Sequence, residues 1–338
     1  AHSSPRPSLV GREVPSLATV GGESQTRRAR APSRPASCRI AAGHPRDPVT
    51  AGSQREVGVA ISVRVVRPEE AQGRTRDIYD EVRGAMGLSW VPDMFQALAA
   101  HPRYLEIAWR ELRPLVGRVP FERAADDVRL LAERAVVDFP PRDHKTMLLA
   151  RGYGEDDLEE MRTTVQSLHS ANPRLMIMAT VLHDALRGQP VGTNTSPEAE
   201  RTTRVPAVDG EIRVVPPDEA EARVREVYDE IRRDTAAPLV NDSYQAMARW
   251  PDYLALAWHD VRQYLATPAY RAAQLRLRNR AGTAMIDLPG PIYADAASLR
   301  HAGVQEDDLR AARGLVKLFH RLLPGLILNV AFFRGGLG

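Results

Sequence analysis

The chain contains one long segment twice. The stretch "PDMFQALAAHPRYLEIAW" at Pro92–Trp109 recurs in altered form as "NDSYQAMARWPDYLALAW" at Asn241–Trp258. Two further pairs follow the same order: "VRVVRPEEAQGRTRDIYDEVR" with "IRVVPPDEAEARVREVYDEIR", and "GEDDLEEMR" with "QEDDLRAAR". Two long copies are too few for a solenoid, which stacks three or more short repeats. The sequence therefore predicts a duplicated unit.

The matches divide the chain into four parts. Residues 1–60 form a tail rich in Arg, Pro and Ser, and its composition is typical of a disordered extension. Sequence upstream of the natural start would have the same composition, so both interpretations stay open. Residues 61–190 form the first repeat, residues 191–210 a polar, turn-rich linker, and residues 211–338 the second repeat.

The apolar residues in each repeat have helical spacing. In "DEAEARVREVYDEIRR" they are Val224, Val227, Tyr228 and Ile231, which lie on one helix face. Pro251 suits the first turn of the next helix, where a missing N–H is no loss. Apart from the short pieces "VRVV" and "IRVV", no strand-like alternation occurs. We predict an all-α fold of two tandem homologous helical repeats packed about a pseudo-twofold axis.

Composition and charge exclude several classes of function. The net charge of the 338 residues is +3, and the basic excess lies in the tail, so no basic face for nucleic acid is expected. The longest apolar run, Leu322–Phe333, is too short for a membrane span and is interpreted as a buried core helix. The single cysteine, Cys38, allows neither a disulfide framework nor a zinc cluster, and a cytoplasmic location is expected.

No cofactor motif is recognisable. The glycines of "GYGEDD" do not follow a strand, so they do not form a dinucleotide-binding turn. The histidines lack metal-ligand spacing with carboxylates, and His169 and His320 match each other in the two repeats, which favours a structural role. We predict no cofactor and no metal, with a small molecule as the binding partner and a homodimer left open.

Polar residues that differ between the repeats are candidates for a single site between them. Asn172, Ser243, Trp90 and Asn329 break the match between the two copies. Their counterparts are apolar: Leu323, Met94, Leu239 and Met178. A buried amide such as that of Asn329 needs a partner or a ligand.

Each candidate also has a structural interpretation. Asn172 precedes Pro173 and could begin a helix as its N-cap. Asp93 and Asp242 match in register at the start of a helix, which favours a capping role for both. Trp90 could equally be a core residue. These alternatives stay open at the level of the sequence.

The doubled phrase "F/Y-Q-A-L/M-A-x-x-P-x-Y-L", the "NP-x-L" segment at Leu168–Leu175 and the closing apolar helix together resemble the group I 2-haloacid dehalogenases. Enzymes of this family act on both enantiomers of 2-haloalkanoic acids. The resemblance covers Val63 to Leu337 and implies two helical repeats with one site between them. It also implies attack of an activated water on C2, with inversion and without a covalent ester.

The resemblance assigns roles to individual residues. It places the water-binding Asn at Asn172, an aromatic pocket residue at Trp90 and a pocket Tyr at Phe319, which lacks the hydroxyl. A Ser-Asp pair of the family falls on Asp242 and Ser243 in reversed order, so Ser243 occupies the position of the catalytic Asp. We therefore take Asp242, Asn172 and Ser243 as candidate catalytic residues. The candidate substrate-binding residues are Trp90, Asp93, Tyr244, Phe319 and Asn329.

Three functions stay open. The first is a cofactor-free 2-haloacid dehalogenase that yields a 2-hydroxy acid. The second is a relative that does not dehalogenate, such as another small-molecule hydrolase or a cyclase, and the third is a non-catalytic helical binding protein. A shift of one residue turns a helical side chain by roughly 100°. The reversed pair thus predicts weak dehalogenase activity, which restoring the family order would raise.

Overall fold

Helices make up the regular structure of the described residues, 63–205 and 210–338, of the computed structural model. Twelve α-helices occur in this part of the chain: α1 Gly73–Met86, α2 Asp93–Leu98, α3 Pro102–Leu112, α4 Val119–Val136, α5 His144–Leu149, α6 Glu155–Leu186, α7 Ala222–Thr235, α8 Asp242–Met247, α9 Pro251–Val261, α10 Pro268–Thr283, α11 Ala296–His301 and α12 Glu306–Leu337. Short 3₁₀ segments extend α3, α9 and α10: Arg113–Leu115, Arg262–Tyr264 and Ala284–Ile286. The predicted all-α fold is confirmed. The predicted tail, with Cys38, lies outside the described residues.

Helix lengths recur in the same order along the two halves. Helices α1 and α7 have 14 residues each, α2 and α8 have 6, α3 and α9 have 11, and α6 and α12 have 32. Side-chain contacts recur as well, because Tyr79 donates its hydroxyl to the Val66 carbonyl at 2.7 Å and Tyr228 donates to Val215 at 2.8 Å. These parallels support the duplication, while its pseudo-twofold axis stays a prediction.

The two strand-like pieces do not form strands. They run extended and hold the short helices α2 and α8 in place through single backbone hydrogen bonds. Val66 N–H donates to the Gln96 carbonyl and Val215 N–H to the Gln245 carbonyl, each at 3.0 Å. These two hydrogen bonds tie α2 to the segment around Val66 and α8 to the segment around Val215.

The described part of the predicted linker contacts both halves. Near the start of α4, Val119 N–H donates to the Arg201 carbonyl at 2.9 Å and Thr203 N–H to the Gly117 carbonyl at 2.7 Å. Gly192 N–H donates to the Met285 carbonyl at 3.0 Å, and Asn194 N–H donates to the Leu288 carbonyl at 3.2 Å. The left-handed φ of 67° at Gly192 and its close approach to the backbone of Pro289 leave no room for a side chain.

The long helices α6 and α12 form the centre of the core and pack against each other more extensively than any other pair. Each contains an internal proline, Pro173 in α6 and Pro324 in α12, and both are buried. The prediction that Asn172 begins a helix is therefore wrong, because Asn172 lies in the middle of α6. A proline inside a helix removes one hydrogen bond, and burial of a 32-residue helix outweighs that loss.

Within the described residues, α12 alone has the length and composition of a membrane-crossing helix. Its most apolar window is 78% buried inside the fold, which is the behaviour of a core helix. This agrees with the interpretation of the apolar run Leu322–Phe333.

Candidate active site

Two aspartates from the two halves meet inside the protein. Asp93 is the first residue of α2 and Asp242 the first residue of α8, and their exposures are 6% and 3%. Asp93 Oδ2 accepts a hydrogen bond from the Asp242 backbone N–H at 2.6 Å, and Asp242 Oδ2 accepts one from the Asp93 N–H at 3.3 Å. Each carboxyl group thus satisfies a free N–H at the start of the other helix.

This arrangement corrects the capping interpretation of these aspartates. Neither one is the N-cap of its own helix. The cap of α8 is Asn241, whose side chain accepts from the Ser243 N–H at 2.9 Å, and the cap position of α2 is Pro92, which has no side-chain acceptor. Asn241 and Pro92 occupy the N-cap positions of α8 and α2. The carboxyl groups of Asp93 and Asp242 can therefore accept N–H groups from each other's helices.

Trp90 distinguishes the two carboxyl groups. Its indole Nε1 donates to Asp242 Oδ2 at 3.0 Å, while its counterpart in the second half is Leu239, which has no donor. Trp90 is 7% exposed, so it is a core residue and a wall of the site at once.

Burial sets the charge state of the pair. Desolvation raises the pKa of Asp93 well above its ordinary value, and the charge of Asp242 raises it further. Desolvation also raises the pKa of Asp242, but hydrogen bonds from the Trp90 indole and the Asp93 N–H lower it. These contacts favour the ionised form at Asp242 and the protonated form at Asp93.

One oxygen of Asp242 is left over. The Ser243 hydroxyl lies near enough to lower the pKa of Asp242, yet Oδ1 is buried and has no hydrogen-bond partner among the described residues. A buried carboxylate oxygen without a partner is costly. Oδ1 is thus an acceptor for a water molecule or a substrate group.

Asn172 contacts Ser243 and is not hydrogen-bonded to Asp242. Its Nδ2 donates to Ser243 Oγ at 3.1 Å, and the exposures of Asn172 and Ser243 are 1% and 0%. The three candidate catalytic residues thus share one buried region, in which Asp242 faces Trp90 and Asp93 while Ser243 faces α6.

A second polar group lies nearby on α8 and α12. Asn329 Nδ2 donates to the Tyr244 hydroxyl at 2.8 Å, and the Tyr270 hydroxyl donates to Asn329 Oδ1 at 2.6 Å. The amide of Asn329 therefore has protein partners on both sides, as its burial requires. Sequence reasoning did not identify Tyr270, because its contact with Asn329 depends on the packing of α10 against α12.

Six of the eight candidate residues line two cavities, and Asn172 and Ser243 line neither of them. Trp90, Asp93 and Asp242 line a cavity of 470 Å³ formed by both halves of the chain. Tyr244, Phe319 and Asn329 line another of 270 Å³ in the second half. Helix α8 reaches both, with Asp242 in the first cavity and Tyr244 in the second.

The site has no arrangement of metal ligands in residues 63–205 and 210–338. No group of three or more His, Cys, Asp or Glu side chains there is placed to hold a metal ion.

These features define an all-helical protein whose halves meet at a buried pair of carboxyl groups. The family model described as "Halocarboxylic acid dehydrogenase DehI" matches residues 89–244 and 238–338, and the chain belongs to this family.

Known relatives agree with that family. An (R)-2-haloacid dehalogenase of Pseudomonas putida is 29% identical over 276 residues, which is 80% of this chain and 92% of that protein. A configuration-inverting 2-haloacid dehalogenase of Pseudomonas sp. (strain 113) is 24% identical over 62% of this chain and 70% of its own length. The predicted function, a hydrolytic 2-haloacid dehalogenase, is confirmed at this level.

A solved structure has the same fold. The complex of a D-2-haloacid dehalogenase mutant with D-2-CPA superposes with a TM-score of 0.78 at 27% identity, covering 82% of this chain and 96% of that one.

Proposed function

We propose that the chain hydrolyses 2-haloalkanoic acids to 2-hydroxy acids, with Asp242 as the general base. The oxygen of a water molecule forms a bond to C2 while the bond from C2 to the halogen breaks. The halide leaves with the bonding electrons, and Asp242 takes a proton from the water. No covalent bond to the protein forms in this reaction.

The observation that carries this proposal is the free Oδ1 of Asp242. It is a buried acceptor in a cluster whose other hydrogen-bonding groups are engaged with each other. A general base must lie within hydrogen-bonding reach of the proton it takes, and its pKa should lie near the working pH. Burial raises the pKa of Asp242 in that direction.

Asp93 is a weaker candidate for the base. Its pKa is raised by burial and by the charge of Asp242, so it holds its proton. With Asp93 protonated, the pair carries one negative charge instead of two. Burying one charge in apolar surroundings costs less free energy than burying two like charges side by side.

Asn172 and Ser243 have the chemistry to orient the water. The amide of Asn172 donates to Ser243 Oγ, so the hydroxyl proton of Ser243 is directed away from Asn172. A hydroxyl held in this way can donate to a water or to the leaving group. A serine hydroxyl is a weak nucleophile at its ordinary pKa, so we assign Ser243 the orientation of the water and not the attack on C2.

The names of the relatives support inversion at C2, while action on both enantiomers rests on the resemblance of the sequence alone. The relatives are named for (R)-2-haloacids in one case and for inversion in another. Inversion fits a single displacement by water, in which the attacking and leaving groups lie on opposite sides of C2.

One contact favours a second candidate function. Asn172 faces the hydroxyl of Ser243 at the position where the family resemblance places a carboxylate. A chain with this replacement could bind the same class of small acid and catalyse a different hydrolysis or a cyclisation. The burial of Asn172, Ser243 and Asp242 in one region argues against a purely non-catalytic binding protein.

Product analysis separates these functions. The purified protein is incubated with (R)- and with (S)-2-chloropropionate in buffer containing EDTA, and halide and the chirality of lactate are measured. We expect halide release with inverted lactate from each enantiomer. A single turnover in ¹⁸O-labelled water is expected to place the label in the lactate. Unlabelled lactate in that turnover would show a covalent ester, and no halide with either acid would favour the second candidate.

A further inference from the structure

The 270 Å³ cavity brings arginine side chains from two helices together. Arg271 and Arg278 reach it from α10, and Arg321 reaches it from α12. Arg321 donates to the Thr235 and Ala236 carbonyls at the end of α7, at 3.3 Å and 2.9 Å, which orients its guanidinium group beside the cavity. Arginine has five N–H donors and is the side chain best suited to bind a carboxylate through two parallel hydrogen bonds.

Arg278 has no partner in the described residues. Its Nε is buried and makes no hydrogen bond. The acidic residue that lines this cavity, Asp234, is already engaged, because Arg262 binds its Oδ2 at 2.9 Å. A buried guanidinium N–H without an acceptor is costly, so the site calls for an anion.

Burial and nearby charges determine which groups beside this cavity carry positive charge. Burial lowers the pKa of Arg321, and the charge of Arg278 lowers it further. Burial also lowers the pKa of His320 to about 4, with the charges of His183 and Arg278 acting in the same direction. His320 is therefore neutral at pH 7, and Arg278 and Arg321 supply the positive charge.

The remaining lining suits a short apolar chain. Phe319, Leu323 and Leu326 line the cavity, and Tyr244 and Asn329 contribute polar groups. The lining therefore combines a basic edge with an apolar wall.

We propose that this cavity binds a small monocarboxylic acid, with Arg278 and Arg321 holding its carboxylate and the side chains around Phe319 holding its alkyl group. The identity of that acid as the 2-haloacid substrate rests on the proposed function. This cavity adjoins the one that holds Asp242, because Leu239 lines both. Asn241 and Tyr244, which lie on either side of Asp242 along the chain, line this cavity.

Direct binding of propionate tests the proposal without any turnover. Propionate is titrated into the full chain in chloride-free buffer by calorimetry, with propionamide as the neutral analogue. Arg278→Gln removes the charge, and Arg276→Gln is the matched control, because Arg276 is exposed on the same helix. We expect at least about tenfold weaker binding for Arg278→Gln, the effect of losing one charged hydrogen bond, and less than about twofold for Arg276→Gln.

A second pair of variants covers the case in which Arg278→Gln does not fold. Arg278→Lys keeps the charge and loses the two-donor geometry, so it should bind propionate a few-fold more weakly, while Arg276→Lys should not change binding. Equal binding of propionate and propionamide, or equal effects at positions 278 and 276, would overturn the proposal. Tighter competition by chloride than by propionate would overturn it too, since it would define a halide site.

Turnover then separates this proposal from the proposed function. If 2-chloropropionate is hydrolysed, Arg278→Gln should raise KM with little change in kcat. An unchanged KM would refute the carboxylate site but leave the proposed function intact. If no 2-haloacid is hydrolysed, propionate binding that depends on Arg278 would still support the site.

Discussion

Asp93 and Asp242 cap each other's helices, each accepting the backbone N–H of the other, at 2.6 Å and 3.3 Å. This reciprocal pair explains why both copies of the duplicated phrase retain an aspartate. The two are made unequal by Trp90, which donates to Asp242 alone. The two matching phrases thus supply two similar carboxyl groups, and the hydrogen bond from Trp90 favours ionisation of the second.

The indole of Trp90 should set the pH at which the enzyme becomes active. Its hydrogen bond favours the ionised form of Asp242 and lowers the pKa of that group. In Trp90→Phe the pKa of Asp242 rises, so the acid limb of kcat/KM moves to higher pH, because the base must be ionised to act. The measurement is a pH profile of halide release.

Trp258→Phe is the control for this profile. Trp258 is fully buried, but its Nε1 has no hydrogen-bond partner in the described residues, so the change removes no contact to a carboxylate. We expect its acid limb to stay where it is in the unmodified protein. Equal shifts for the two variants would mean that the indole hydrogen bond does not tune Asp242.

Asp93→Asn should change how stability depends on pH. The folded pKa of Asp93 lies above its ordinary value of 3.8, so between these two values the folded state binds more protons than the unfolded state. The free energy of unfolding therefore falls as pH rises through this range and stays low above it. Asparagine cannot ionise and still accepts from the Asp242 N–H.

The variant is therefore expected to gain stability relative to the unmodified protein as pH rises. Urea unfolding of both proteins at pH 4 and pH 8 measures the difference. A stability difference that is the same at both values would contradict a raised pKa for Asp93. Asp218→Asn is a suitable reference, because Asp218 is exposed and its pKa is lowered by Arg67.

Reversing the pair at the start of α8 should raise dehalogenase activity. In the double variant Asp242→Ser with Ser243→Asp, a carboxylate takes the place of the hydroxyl that now accepts from Asn172. The double variant moves the proposed base from position 242 to position 243, where one carboxylate can hold a water beside Asn172 and accept its proton. We expect faster halide release from 2-chloropropionate than in the unmodified protein, provided that circular dichroism shows the same helix content. A folded double variant with no gain would refute this role for position 243.

Gly336 should be intolerant of any side chain. The ring of His144 fills the space where a Cβ would stand, and His144 is fixed because its Nε2 lies 2.9 Å from Asp260 Oδ2. Gly336→Ala is expected to lower the free energy of unfolding by about 1–3 kcal/mol, the cost of overpacking a core.

The same helix offers the control for that variant. A Cβ at Gly314 would meet nothing within 4 Å, so Gly314→Ala should raise the free energy of unfolding by about 0.5–1 kcal/mol through helix propensity. Denaturant unfolding measures both variants. Similar changes for the two would show that His144 does not occupy the space beside Gly336.

The helical fold was largely predictable from the sequence, because helix periodicity is a property of neighbouring residues and the matching phrases could be compared directly along the chain. The register of Asp93 with Asp242 could also be read from the repeats. The interior position of Asn172 could not, since Pro173 is a local signal for a helix end and tertiary burial overrides it. Asn241 had the recognisable signature of an N-cap residue, an Asn directly before a helix.

The arginines of the second cavity carried no such local signal. Arg278 and Arg321 lie on different helices. Because the chain contains many arginines, the sequence does not distinguish these two as binding residues. Their proposed role depends on the packing of the helices. Packing leaves the Nε of Arg278 without an acceptor, whereas Arg262, for example, pairs with Asp234.

The central claim is that Asp242 is the base of a hydrolytic dehalogenase, and halide release by Asp242→Asn tests it most directly. Asp93→Asn is the matched control, because both groups are buried and both accept a backbone N–H. With (R)- and (S)-2-chloropropionate we predict a loss of about 100-fold or more in kcat for Asp242→Asn, the usual contribution of a general base, and a much smaller loss for Asp93→Asn. Halide release by a folded Asp242→Asn protein at the unmodified rate would contradict the account.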